Sequence, residues 1–158
     1  MESVAILVDV QNIYYTTRDR FNSHFDYNAF WRKATANRQV VEANAYAIAS
    51  NNPKQRQFHH ILRGIGFNVK LKPFIQRMDG SAKGDWDVGI TLDAIEFAMQ
   101  ADIVILLSGD GDFDLLAQRI RDKYKKEVEV YGVKDLTAKS LIEASDRFYE
   151  IDEDLLIK

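Results

Sequence analysis

An α/β fold, with helices on both faces of a mostly parallel sheet of five or six strands, is what the order of segments predicts. Three observations carry that expectation. Short apolar runs such as Val4-Ala5-Ile6-Leu7-Val8 and Ile103-Val104-Ile105-Leu106-Leu107 read as buried strands. Segments of helical pattern separate them, and such alternation implies parallel strands joined by crossover helices. Two Pro and eight Gly in 158 residues mark no linker or boundary, so residues 1–158 read as one domain.

The elements follow in order. Residues 4–8 form the first strand, and a helix over 25–37 has Asp26 near its start. Residues 40–49 read as a strand of small side chains. Pro53 opens a helix reaching about Arg63, which Gly64 and Gly66 end. The third strand covers 69–74, where Lys70 and Lys72 alternate with apolar residues. A polar loop with Gly80 and Gly84 fills 76–85. A helix spans 87–100, the fourth strand 103–107, a helix 112–124 and the fifth strand 128–133. A short helix over 137–144 and an edge strand over 148–151 close the series.

Composition narrows the chemistry. Hydrophobic residues make up 46% and charged residues 28%, as in a soluble globular protein. The chain has no Cys, so disulfides and thiolate metal sites are excluded. A bound metal must use oxygen ligands or one of three His, which favours Mg²⁺, Mn²⁺ or Ca²⁺ over Zn²⁺. No signal peptide is visible and no apolar run approaches membrane-spanning length. A cytoplasmic protein without a membrane partner is expected. Net charge is −3 but uneven: residues 1–83 carry 12 Lys and Arg against 6 Asp and Glu, and the remainder 9 against 18. A basic half can meet a polyanion while an acidic half holds cations; alternatively, the two halves are simply solvated differently.

The acids stand at informative places. Ser108-Gly109-Asp110-Gly111-Asp112-Phe113-Asp114 lies between a buried strand and a helix. In an open parallel sheet that edge is where ligands bind. Like charges so close repel unless a cation, a proton or water intervenes. The alternation mimics a calcium-binding EF-hand loop, but Leu115 stands where that loop needs Gly and Arg121 where it needs Glu. Asp110 is at the strand end, whereas Asp112 and Asp114 also suit a helix N-terminus. Asp9 follows the first strand; alone it reads as an N-cap, but Asn12 is an equally good cap and partly frees it. Asp85 and Asp87 precede the central helix, and one of them is enough to cap it. Helical spacing sets Asp93 on a stripe with Ile90, Ala94, Phe97 and Ala101, where an ionised carboxylate is costly unless paired or metal-bound. The alternative rotates Asp93 and Glu96 to solvent and packs Leu92, Ile95 and Met99 inward. Acids from three segments thus reach one predicted edge. Grouped carboxylates can hold one or two Mg²⁺ or Mn²⁺ ions, and Lys83 nearby could neutralise a phosphate.

These motifs resemble the NYN domain family, in its LabA-like bacterial branch within the PIN-like nuclease group. The matching pieces are Val8-Asp9-Val10-Gln11-Asn12, Lys83-Gly84-Asp85-Trp86-Asp87, Asp93, and Ser108 through Phe113. The resemblance covers most of the chain. It implies a PIN-like three-layer αβα sandwich and a metal-dependent ribonuclease. It also implies that Asp9, Asp87, Asp93 and Asp110 hold the metal, Mg²⁺ or Mn²⁺, with Asp112 beside them. Asn12 and Ser108 would orient water or ligands. Asp85 and Trp86 depart from the apolar residue the family usually carries after Lys-Gly; register favours Asp87 over Asp85 as the ligand.

Three functions compete. In the first, water attacks an RNA phosphodiester, the RNA lying single-stranded over basic residues of the first half. Tyr14, Tyr15, Phe21 and Phe25 could stack on its bases, although core packing is the plainer role for Phe21 and Phe25. In the second, a phosphatase of the haloacid-dehalogenase type needs a second Asp where Gln11 stands. In the third, a non-catalytic regulator of the same fold binds RNA, a nucleotide or a protein. No phosphate-binding glycine motif is present, and His59-His60 reads as a surface feature. Residues 151–158 could pair with another chain in a homo-oligomer or fray.

Overall fold

Every residue from Val4 to Val8 is at most 1% exposed, as a strand at the centre of a two-sided sheet requires. The computed structural model describes residues 1–73, 75, 76, 82, 83 and 85–157, the four in the middle by their backbone alone. Its main sheet has six strands: β1 (Glu2–Asp9), β2 (Arg38–Ile48), β3 (Asn68–Lys72), β6 (Ile103–Leu107), β7 (Glu127–Gly132) and β8 (Arg147–Glu150). Their order is β3-β2-β1-β6-β7-β8, and every pairing is parallel. Short strands β4 (Ile75–Gln76) and β5 (Ala82–Lys83) form a separate antiparallel pair.

The helices divide by chain half. Helices α1 (Val10–Phe21), α2 (Tyr27–Thr35) and α3 (Pro53–Ile65) pack with Val4, Ile6 and Val8 on one face. Helices α4 (Asp87–Ala98), α5 (Asp114–Asp122) and α6 (Lys139–Ala144) pack with Ala5 and Leu7 on the other. The structure is therefore the expected αβα sandwich. The charge imbalance carries over to the helices, with seven Lys and Arg against one Asp in α1–α3 and three against six Asp and Glu in α4–α6, although Asp152-Glu153-Asp154 belong to the segment that packs with the first layer.

Two expectations from sequence need correction. The segment after Asp9, to which the series of elements assigns no helix although Asp9 and Asn12 both suit an N-cap, forms α1. It buries only Val10, Ile13 and Thr17, too few apolar positions to announce a helix. Asp9 caps it, and Thr16 and Thr17 return their hydroxyls to carbonyls one turn back. The segment 76–85 is not loop throughout, because 75–76 pair with 82–83; Gly80 and Gly84 lie outside the described residues. The helix from Pro53 ends one residue past Gly64, at Ile65, and Gly66 follows with φ 141°. A Cβ there would sit 2.7 Å from the Trp31 ring, so the backbone angle and the close approach both demand Gly.

Strand order places the site. The chain builds β1, β2 and β3 outward in one direction, then returns to β6 on the other side of β1 and proceeds through β7 to β8. The connections leaving β1 and β6 turn to opposite faces. The crevice outside their carboxyl ends is the switch point where such sheets bind ligands.

Candidate metal centre

Asp9 ends β1, Asp110 lies three residues past β6, and Asp87 opens α4. One carboxylate oxygen from each lies within 4.8 Å of the others. Among the described residues no Lys or Arg forms an ion pair with any of the three. Ionised carboxylates at that separation repel by about 3 kcal/mol per pair at an effective dielectric of about 20.

The surroundings fix each acid in place. Asp9 accepts the Asn12 amide at 3.3 Å on one oxygen and the Ser108 hydroxyl at 3.2 Å on the other. Ser108 Oγ in turn accepts the Asp110 amide at 3.1 Å. Asn12 Oδ1 accepts the Gly109 amide at 2.9 Å, tying α1 to the loop after β6. Asn12 and Ser108, which the family resemblance would have orient water or ligands, join the two strand ends. The loop is also clamped from outside. The Gly109 carbonyl accepts the Ala138 amide at 3.1 Å, and a Cβ on Gly111 would meet Ala138 Cβ at 2.8 Å.

Burial and mutual repulsion raise two of the carboxyl groups. Asp9 is pushed from 3.8 to about 6, first by burial and then by the charges of Asp110 and Asp85; the bonds from Asn12 and Ser108 oppose this. Asp87 rises to about 7, again by burial first, then by the charge of Asp110 and a hydrogen bond with it. Such a cluster retains a proton near neutral pH until a cation replaces it. Hard oxygen donors with no sulfur or imidazole among them suit Mg²⁺ or Mn²⁺. The three residues fit such an ion.

The remaining predicted site residues divide. Asp85 accepts the Asp87 amide at 3.2 Å, so it shapes the entry to α4 while Asp87 faces the cluster. Asp112 is exposed, and its amide donates to Asp110 Oδ1 at 2.9 Å. Asp114 receives the Leu115 amide in the first turn of α5. Asp93 is not gathered with the trio. Its Oδ2 accepts the Tyr46 hydroxyl at 2.7 Å and pairs with Lys70 Nζ at 3.1 Å. The stripe reading of its helix holds: Ile90, Ala94 and Phe97 are buried while Leu92 and Met99 are exposed. The side chain of Lys83 lies outside the described residues.

Three further features escape sequence reasoning. The Trp86 indole donates to the Ala47 carbonyl at 2.8 Å, holding the start of α4 against β2. Tyr46 sits opposite Asp9 in register and extends a polar chain from Asn44 to Asp93. His59 is buried rather than on the surface. Only register could announce Tyr46, and strand pairing is not written locally.

The comparisons agree with this geometry. The model of the NYN domain family matches residues 3–152. The chain is 28% identical over 162 residues to the "Low amplitude and bright protein LabA" of Synechococcus elongatus, covering 95% of this chain and 84% of that one. A crystal structure of VPA0982, a protein of unknown function from Vibrio parahaemolyticus, is similar at TM-score 0.95 and 66% identity. That likeness covers 99% of this chain and 96% of the other. Sheet order, the acids at the β1 and β6 edges and a family match over nearly the whole length agree: the chain belongs to the NYN domain family, within the PIN-like nuclease group.

Proposed function

We propose that the protein is a metal-dependent ribonuclease acting on single-stranded RNA in the cytoplasm. The observation that carries the reading is the meeting of Asp9, Asp87 and Asp110 at the switch point of the sheet. These three would hold Mg²⁺ or Mn²⁺. Such an ion supplies Lewis-acid stabilisation of phosphoryl charge and lowers the pKa of bound water. Ser108 and Asn12 keep Asp9 and the Gly109 amide in fixed register, so the carboxylates need little reorganisation. Asp93 acts at one remove, positioning Lys70 beside the site, and Asp112 braces Asp110 through its amide. Lys70 and Lys72 offer positive charge to a phosphate backbone along the β3 side.

The test is cleavage of a labelled single-stranded RNA by the purified chain with Mn²⁺ or Mg²⁺. Cleavage should stop in EDTA and fall by about 100-fold or more in Asp110→Asn. Cleavage that survives both changes would overturn the reading. A second reading, a non-catalytic module of the same fold that binds RNA, a nucleotide or a protein partner, is favoured by one observation. Asp93 is engaged by Tyr46 and Lys70, leaving three gathered carboxylates where the family resemblance implies four. RNA binding without cleavage by the wild-type chain would select it.

A further inference from the structure

A cavity of about 820 Å³ opens on the face formed by α1 and α3. Val10 and Gln11, the residues following Asp9, form part of its wall, and Tyr27 lies close enough for the Asp9 charge to act on its phenol. Asp9, Asp87 and Asp110 do not line it; the cavity and the cluster share the carboxyl end of β1. Its volume lies in the range of sites that enclose small organic ligands, far more than a metal-held phosphate needs.

The lining is aromatic with a few polar groups. Tyr14 is 42% exposed, and its ring stacks at 27° on His24, with centroids 6.2 Å apart. Arg18, which does not line the cavity, stands 5.4 Å over the Tyr14 ring and keeps a cation next to it. Deeper in, His59 is only 4% exposed beside Phe58, with Gln55 on the same helix in the wall. Burial, with Arg63 and His60 nearby, holds the His59 imidazole below its ordinary range. At neutral pH it then presents one donor and one acceptor. A flat aromatic ligand with donors and acceptors on its edge, carried by an anionic backbone, matches these features together. Stacking platforms joined to cations are how proteins hold unpaired bases.

We propose that this cavity is a nucleobase pocket, in which an unpaired base stacks near Tyr14 and meets His59 and Gln55 with its edge. Only the placement of its phosphate toward Asp9 rests on the ribonuclease reading. Two sources could supply the base: an RNA strand or a free nucleotide.

The experiment measures binding without catalysis, using full-length Asp110→Asn in EDTA. The probes are a labelled single-stranded RNA of about eight nucleotides, the same strand with one abasic residue scanned along it, and the four nucleoside monophosphates. Loss of the base at one position should weaken binding roughly tenfold. Tyr14→Ala should weaken the intact strand by a similar factor and the abasic strand no further. His59→Gln should alter the ranking among bases while circular dichroism stays unchanged. Equal affinity for intact and abasic strands, or no binding of any probe, would overturn the pocket without requiring a variant to fold. Monophosphates binding as tightly as the strand, with the Tyr14 dependence kept, would support the pocket and assign it to a free nucleotide. Cleavage by the wild-type chain that ignores the abasic residue would overturn the pocket and leave the ribonuclease reading standing. Base-dependent binding without any cleavage would do the reverse.

Discussion

Two acids on the same sheet have opposite fates. Glu129, on β7, is fully buried and meets Arg38 in a two-pronged pair at 2.9 and 2.7 Å. Arg38 also donates to the Ala34 carbonyl at 3.1 Å. Asp9, at the end of β1, meets two more carboxylates and is held above its ordinary pKa. The interior charge is neutralised by the chain itself. The carboxyl-edge charge is left for something from outside. One acid is compensated within the fold; the other three are gathered with no cation of the described chain among them, the arrangement on which the proposed function rests.

That contrast can be broken from either side, and the largest effect should come from the interior. Glu129→Ala strands the Arg38 guanidinium and should cost about 3–5 kcal/mol of unfolding free energy; urea denaturation measures it. Asp110→Asn should instead leave the metal-free fold intact or strengthen it above about pH 7, because a repelling charge is gone. Mn²⁺ should raise the Tm of the wild-type chain and leave that of the variant unchanged.

The next effect is in pH. The folded-state pKa values of Asp9 and Asp87 are raised to about 6 and about 7 from 3.8. Their contribution to stability is then fully present below about pH 4 and is lost as pH rises through the folded values. In EDTA, the part of the stability profile due to these two groups should fall between about pH 4 and about pH 7. Saturating Mn²⁺ should offset that fall, and Mn²⁺ affinity should weaken as protons compete below about pH 7. Thermal melts across this window, with Asp110→Asn as the control, separate this contribution from that of other acids. A flat difference between wild type and variant would contradict it.

The smallest effect belongs to Lys70. Its pair with Asp93 is part-exposed, so Lys70→Ala should change stability by less than about 1 kcal/mol. A larger loss would mean that the Tyr46–Asp93 network carries more of the fold than its exposure suggests.

Much of this architecture is legible in the amino-acid sequence alone. The apolar runs from Val4 to Val8 and Ile103 to Leu107 announce central strands because both faces are buried. Acids at strand ends announce the site because switch-point edges bind ligands. Helix α1 stays hidden, since its buried face is narrow and its sequence is polar and aromatic. Family resemblance assigns Asp93 to the metal, whereas its actual neighbours depend on which strand faces α4. Periodicity gives the helix face correctly, but it cannot show that Tyr46 and Lys70 wait there. His59 reads as surface because a His pair in a polar helix carries no sign of the aromatic wall behind it.

The bond from Ser108 to Asp9 spans 99 positions of sequence. On a ribosome, the first strand, most of the aromatic cavity's wall and the helices of the basic layer would all emerge long before β6. Closing so long a loop is entropically costly and comes late in folding. Until it closes, Asp9 has neither Asp110 nor Ser108 beside it. The proposed hydrolytic centre is therefore absent from any chain made only as far as β6, and the protein would become capable of cutting RNA only after Asp110 is in place.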